Sequence, residues 1–138
     1  NKIFDIIPNN GFIVKDVLID DVSAGQIYSH SFSNIDMDHT IHANFERGFY
    51  INATAEIGGS ITPNGIIHIK EGGNCTFTIA PDSGFHIENI LINGLPHQIQ
   101  EIYKFDNVIE NNSIHVSFSR SNNALPAIIH LLRHNSNE

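Results

Sequence analysis

Nine histidines fall within 138 residues, and histidine is the side chain that changes charge near neutral pH and most often binds metals. His39 and His42 are three apart in a strand-like stretch, which sends them to opposite faces. His130 and His134 are four apart and would share one helix face, as paired metal ligands do, but only Glu138 lies near as a third donor. No metal site is expected there. Asp20, Asp21, Asp36 and Asp38 make acidic turns without the DxDxDG spacing of a calcium loop, so they read as solvated. Ser, His and Asp are plentiful, yet no GxSxG or comparable nucleophile setting occurs. Gly58-Gly59 and Gly72-Gly73 sit in β-turn contexts rather than between a strand and a helix, which argues against a phosphate loop. Cys75 is the only cysteine, so a disulfide framework and a thiolate zinc site are both excluded. The expectation is a chain with no catalytic residues, no metal and no cofactor.

The elements that carry these residues follow from composition. The apolar fraction of 41% supports a core, and the net charge of −8 argues against nucleic acid as partner. No apolar run reaches the roughly 20 residues of a membrane span. There are 24 Ile and 5 Val against 6 Leu, a bias toward β-branched side chains that suit pleated surfaces.

Sliding the sequence against itself by 73 residues aligns Phe4–Phe45 with Phe77–Phe118 without a gap, and 12 of the 42 positions are identical. Phe4, Ile6, Pro8, Gly11 and Phe12 fall on Phe77, Ile79, Pro81, Gly84 and Phe85. Leu18 and Ile19 match Leu91 and Ile92, and Phe32, Asn34, Ile41, His42 and Phe45 match Phe105, Asn107, Ile114, His115 and Phe118. The matches are core and turn residue types, which marks a duplication. The second copy has a preamble, about Gly48 to Gly73, with no counterpart in the first. The chain therefore reads as a partial module over 1–46, a complete module over 47–119 and an apolar tail over 120–138.

Within the complete copy the period is two. Phe49, Ile51, Ala53 and Ala55 alternate with polar neighbours, then Gly58-Gly59-Ser60 and Pro63-Asn64-Gly65 supply turn chemistry. A strand carrying Cys75, Phe77 and Ile79 stops at Pro81. Ile87 and Ile90 are three apart, as are Val14 and Val17, which predicts a bulge or one tight helical turn in each copy. Asn93-Gly94 and its counterpart Asp20-Asp21 predict hairpin turns.

The string ITPNG, the segment FTIAPDSGFHIENILINGL and the closing YKFDNV…NNSIHVSF resemble the divergent bacterial B-repeat, related to internalin B-repeats. The first copy carries IIPNNGFIVKDVLIDDV and FSNIDMDHTIHANF, a similar pattern that starts late, and it departs at Asp21, where the family favours Gly. The resemblance implies an all-β chain of tandem, small, antiparallel β-grasp-like modules. It also implies a secreted or cell-surface prokaryotic setting, where such modules serve as spacers, stalks or adhesive units. The sequons at Asn52, Asn74 and Asn111 are weak signals in a chain with 17 Asn.

The incomplete copy is the most informative feature. A half module exposes apolar side chains and an unpaired row of backbone N–H and C=O groups. Each exposed Ile or Phe forgoes roughly 1.5–3 kcal/mol of burial. The expected acceptor edge carries Phe4, Ile6, Phe12, Ile41 and Phe45. Its cover would come from a longer array, from the chain's own second copy, or from a neighbour by β-augmentation. The expected donor is the tail, through Leu125, Ile128, Ile129, Leu131 and Leu132. Leu125, Ile128, Ile129 and Leu132 form a stripe if that segment is a helix, and Ala127–Leu132 suits insertion between layers if it is a strand. The functional expectation is a noncatalytic extracellular subunit that polymerises with itself into a filament or sheath. The alternative is a spacer or adhesive module of a larger surface protein, contacting other surface proteins or glycans.

Overall fold

The computed structural model describes residues 1–121, which form strands joined by turns, with no helix among them. In chain order the strands are β1 (Lys2–Asp5), β2 (Phe12–Ile19), β3 (Val22–Ser23), β4 (Ser29–Phe32), β5 (Ile41–Ala55) and β6 (Gly59–Thr62). They continue as β7 (Gly65–Lys70), β8 (Cys75–Pro81), β9 (Phe85–Ile92), β10 (Leu95–His97), β11 (Ile102–Phe105) and β12 (Asn112–Arg120). This is the all-β, antiparallel organisation that the period-two patterning predicts.

The chain divides into two compact units that cut across the duplication. One contains Asn1–Asn52 together with Gly65–Thr76 and Lys104–Asn112, and the other contains Ala53–Asn64, Phe77–Tyr103 and residues from Ser113 onward. The first copy is thus joined, within its unit, by β7 and by a loop of the second copy.

In the first unit β1 pairs antiparallel with β4, from Lys2 opposite Phe32 to Asp5 opposite Ser29. β2 pairs with β3 and with β5, and β7 pairs with β5. Ile6, Val14 and Val17 form the buried centre, flanked by Ile19, Ile27, Tyr28, Ile41 and Ala43. Gly48 lies inside β5 for a steric reason. A Cβ there would stand 2.7 Å from Ile13 Cγ1 and 2.7 Å from the Ile69 carbonyl oxygen, distances that only glycine avoids. His68 of β7 stacks on Tyr28 with ring centroids 4.1 Å apart.

In the second unit β9 pairs with β10 and β12, while β6 pairs with β8. The core holds Ile61, Phe77, Ile79, Ile90, Ile114 and Val116, all buried, and the Glu56 amide donates to the Val116 carbonyl at 3.0 Å.

The two copies repeat one another in detail. In the first, the β2–β5 register skips Lys15 between Val14 and Asp16; in the second, the β9–β12 register skips Glu88 between Ile87 and Asn89. These two positions are 73 apart, so the three-residue spacing is a β-bulge in both copies, one of the two forms the spacing allowed. Asp20-Asp21 and Asn93-Gly94 both take positive φ, at 50° and 66° and at 52° and 80°, the signature of a type I′ hairpin turn. The first residue of each turn fastens the closing strand in the same way. Asp20 Oδ1 accepts from the Thr40 amide and Asn93 Oδ1 from the Ser113 amide, each at 2.8 Å. Arg47 lies over the Phe12 ring at 5.9 Å and Arg120 over Phe85 at 5.1 Å. The correspondence therefore extends beyond Phe45 and Phe118.

Candidate functional site

The expected acceptor residues divide on inspection. Ile6 is buried against Val14 and Val17, and Ile41 packs half-buried on that cluster. Both are already spent in the unit's own core. Phe4 in β1, Phe12 at the start of β2 and Phe45 in β5 remain exposed.

The second copy shows what these positions look like when covered. Phe4 is 38% exposed where its counterpart Phe77 is 0%, and Phe45 is 44% exposed where Phe118 is 8%. Ile35 is 52% exposed where Val108 is 2%. The last pair has a visible cause. Val108 is bracketed by the β7–β8 turn, accepting from the Gly72 amide at 2.7 Å and donating to the Gly73 carbonyl at 2.9 Å, and Asn107 N donates to Asn74 Oδ1 at 3.0 Å. Among the described residues, no such turn stands over Ile35.

The strand pairing tells the same story. β8 lies between β11 and β6, whereas its counterpart β1 pairs with β4 alone among the described residues. β4 corresponds to β11, so the side of β1 that lacks a partner is the one that β6 occupies on β8. Two clefts of about 230 Å³ each lie in this unit. One is lined by Ile7, Pro8, Asn9, Phe12 and Phe45. The other is lined by Phe4, Phe32, Ile35, Met37 and Ile41 together with Lys2, Asp38 and His39. Sequence reasoning does not single out Ile7, Ile35 or Met37. The 73-residue offset carries the signal for Ile35, since it falls on a residue held by a turn that the first copy does not contain.

The titratable residues serve local structure. His39 Nδ1 lies 2.8 Å from Asp20 Oδ2, and this contact together with the Thr40 amide holds the Asp20 carboxyl below its usual range. His115 bridges Thr54 Oγ1 and Glu56 Oε2 at 2.6 and 2.8 Å, and His86 contacts the Ser119 hydroxyl at 2.9 Å. Burial lowers the His68 pKa and raises that of the Cys75 thiol, which disfavours the thiolate. Among the described residues, no three His, Cys, Asp or Glu side chains converge on a metal position. Two of the sequon asparagines have structural duties. Asn74 Oδ1 accepts from Asn107, and Asn111 Oδ1 accepts from the Tyr50 amide at 3.0 Å.

The expected donor residues Leu125, Ile128, Ile129, Leu131 and Leu132, and the His130/His134 pair, lie outside the described residues. Among those described, no helix is long and apolar enough to cross a membrane. Comparison of the chain with protein-family models, with curated proteins and with solved structures finds no match.

Proposed function

We propose that the protein is a noncatalytic structural subunit that assembles head to tail into a filament or sheath, a neighbour lending the segment that completes its N-terminal half module. The observation that carries this reading is the unequal flanking of equivalent strands: β8 has a partner on each side, and β1 has only β4 among the described residues. A strand edge with unmet N–H and C=O groups beside exposed Phe side chains is a template for strand addition. An edge filled by a different surface of the next subunit is a heterologous contact, which propagates rather than closes. The likeness of the ITPNG and FTIAPDSGFHIENILINGL motifs to bacterial B-repeats supports a secreted or cell-surface setting in a prokaryote.

The test is light scattering and electron microscopy of the whole chain across a concentration series, beside Phe45→Glu. Phe45 is exposed, so the variant keeps its β circular dichroism while a charge enters the apolar edge. The expected result is growth of the wild-type mass with concentration and a single-chain mass for the variant. A wild-type chain that stays at one mass, or a variant that assembles equally, refutes the proposal.

A second reading, an adhesive module that holds carbohydrate, is favoured by one observation. A cleft of about 350 Å³ is lined by Phe12, Phe49, Tyr50 and His68 with Asn9 and Asn10, which combines aromatic faces with amide donors and acceptors. A glycan screen in which Tyr50→Ala abolishes a hit would favour it over assembly.

A further inference from the structure

We infer that the cleft formed by Ile7, Pro8, Asn9, Phe12 and Phe45 is the seat of a Gly-Gly strand, an extended segment with the apolar–Gly–Gly–polar–apolar chemistry of Ile57–Ile61, supplied by a further copy of this repeat. The inference rests on the proposed completion of the half module from outside, and it specifies what completes it.

The cleft residues have known counterparts. Shifted by 73, they are Ala80, Pro81, Asp82, Phe85 and Phe118, and in the second unit these residues hold the start of β6. The Asp82 amide donates to the Gly58 carbonyl at 2.9 Å. Gly59 through Thr62 pair with Pro81 back to Thr78, placing Ile61 opposite Ile79. Transposed to the first unit, the guest's second glycine stands opposite Pro8, its polar residue opposite Ile7 and its apolar residue opposite Ile6. The carbonyl of the guest's first glycine then accepts from the Asn9 amide. Pro8 does not obstruct this pairing, since Pro81 occupies the same position under β6.

The glycine requirement is steric. A Cβ on Gly58 would stand 2.7 Å from Phe85 Cδ1 and 2.8 Å from Phe118 Cβ, at a φ of +114° that L side chains rarely adopt. A Cβ on Gly59 would stand 2.4 Å from Phe118 Cζ and 2.8 Å from the Ala80 carbonyl oxygen. Phe12 and Phe45 supply the same two rings in the first unit, with Arg47 over Phe12 as Arg120 is over Phe85. The shape that admits β6 is therefore repeated and lacks its guest among the described residues. Residues 122–138 contain no glycine, so the apolar tail does not have the chemistry this seat selects.

The experiment adds a synthetic peptide of residues 53–64, ATAEIGGSITPN, to the whole chain and follows amide hydrogen exchange at Ile7 and Asn9. The expected result is saturable binding, slowed exchange at Asn9, and affinity at least tenfold weaker for the same peptide with Gly58→Val and Gly59→Val. A peptide of residues 122–138 is the second arm, and it is expected to leave Asn9 unprotected. Equal binding of the valine peptide, no protection by the Gly-Gly peptide, or protection by the tail peptide instead, overturns the inference. Light scattering separates it from the assembly proposal: Ile57–Ile61 of each chain is already engaged with β8, so saturable Gly-Gly peptide binding by a chain whose mass does not grow with concentration leaves the seat standing and sinks assembly.

Discussion

Phe45 and Phe118 are the same residue at equivalent positions of one chain, one 44% and the other 8% exposed. Replacing each by alanine therefore measures what the missing cover is worth. An aromatic side chain buries about 150–250 Å² when enclosed, and the 36-point difference in exposure is some 70 Å² of it. At about 25 cal/mol per Å² this amounts to roughly 2 kcal/mol. Phe118→Ala is expected to cost about 3–5 kcal/mol, as enclosed Phe truncations do, and Phe45→Ala about 2 kcal/mol less. Because the chain has two compact units, one global unfolding midpoint would blur the comparison. Native-state hydrogen exchange resolves it, with the Glu56 amide reporting on the second unit and the Val17 amide, which donates to Gly25 at 3.0 Å, on the first. Measured at dilution, the two losses should differ by this amount, and under assembling conditions the Phe45→Ala loss should climb toward that of Phe118→Ala. Equal losses at dilution would refute the idea that the first copy lacks a cover its twin possesses.

The remaining predictions concern the turns and the stacked pair. Asp21 holds a φ of +66° where the second copy has Gly94 at +80°, so Asp21→Gly should stabilise the first unit by about 0.5–1 kcal/mol once glycine's backbone entropy is deducted. Gly94→Asp should do the reverse in the second unit, and urea denaturation followed by exchange checks both. Burial lowers the His68 pKa beneath the ordinary histidine value of 6.5, so the unfolded chain binds the proton more readily. Stability from this group is present above pH 6.5 and drains away as pH falls through the lowered folded value. Urea midpoints between pH 7.5 and 5 should fall for the native chain, and His68→Phe should flatten that fall.

The repeated hydrophobic and turn residues made most of the fold legible. Ile and Val at alternate positions, Pro81 at a strand end and the three-residue gaps at Val14–Val17 and Ile87–Ile90 correspond to strands, a strand stop and bulges. The continuity of β5 was harder to read. Arg47-Gly48 looks like a break between a closing strand and an opening one, yet Gly48 is there to let Ile13 and Ile69 come close. Close approach and chain reversal both select glycine, and a single sequence does not separate them. The pairing of β7 with β5 was also hidden, because partners of half-polar strands are fixed by tertiary contacts that leave no local period. Of the acceptor residues, the Phe side chains were legible as exposed. Ile6, just past β1, and Ile41 are drawn inward by their neighbours Val14 and Val17, which local alternation alone does not reveal.

Cys75 gives the molecule an unplanned chemical clock. It is the only sulfhydryl, it opens β8, and burial raises its pKa. The side chain is half-buried, so an alkylating reagent reaches it without the strand opening, and burial slows the reaction by disfavouring the thiolate. The rate at which iodoacetamide adds mass at fixed pH thus reports how well the start of β8 stays covered, with no dye and no engineered handle. The corresponding position in the first copy is Lys2, so the label sits on the second copy, in the stretch Gly65–Thr76 that belongs to the first unit.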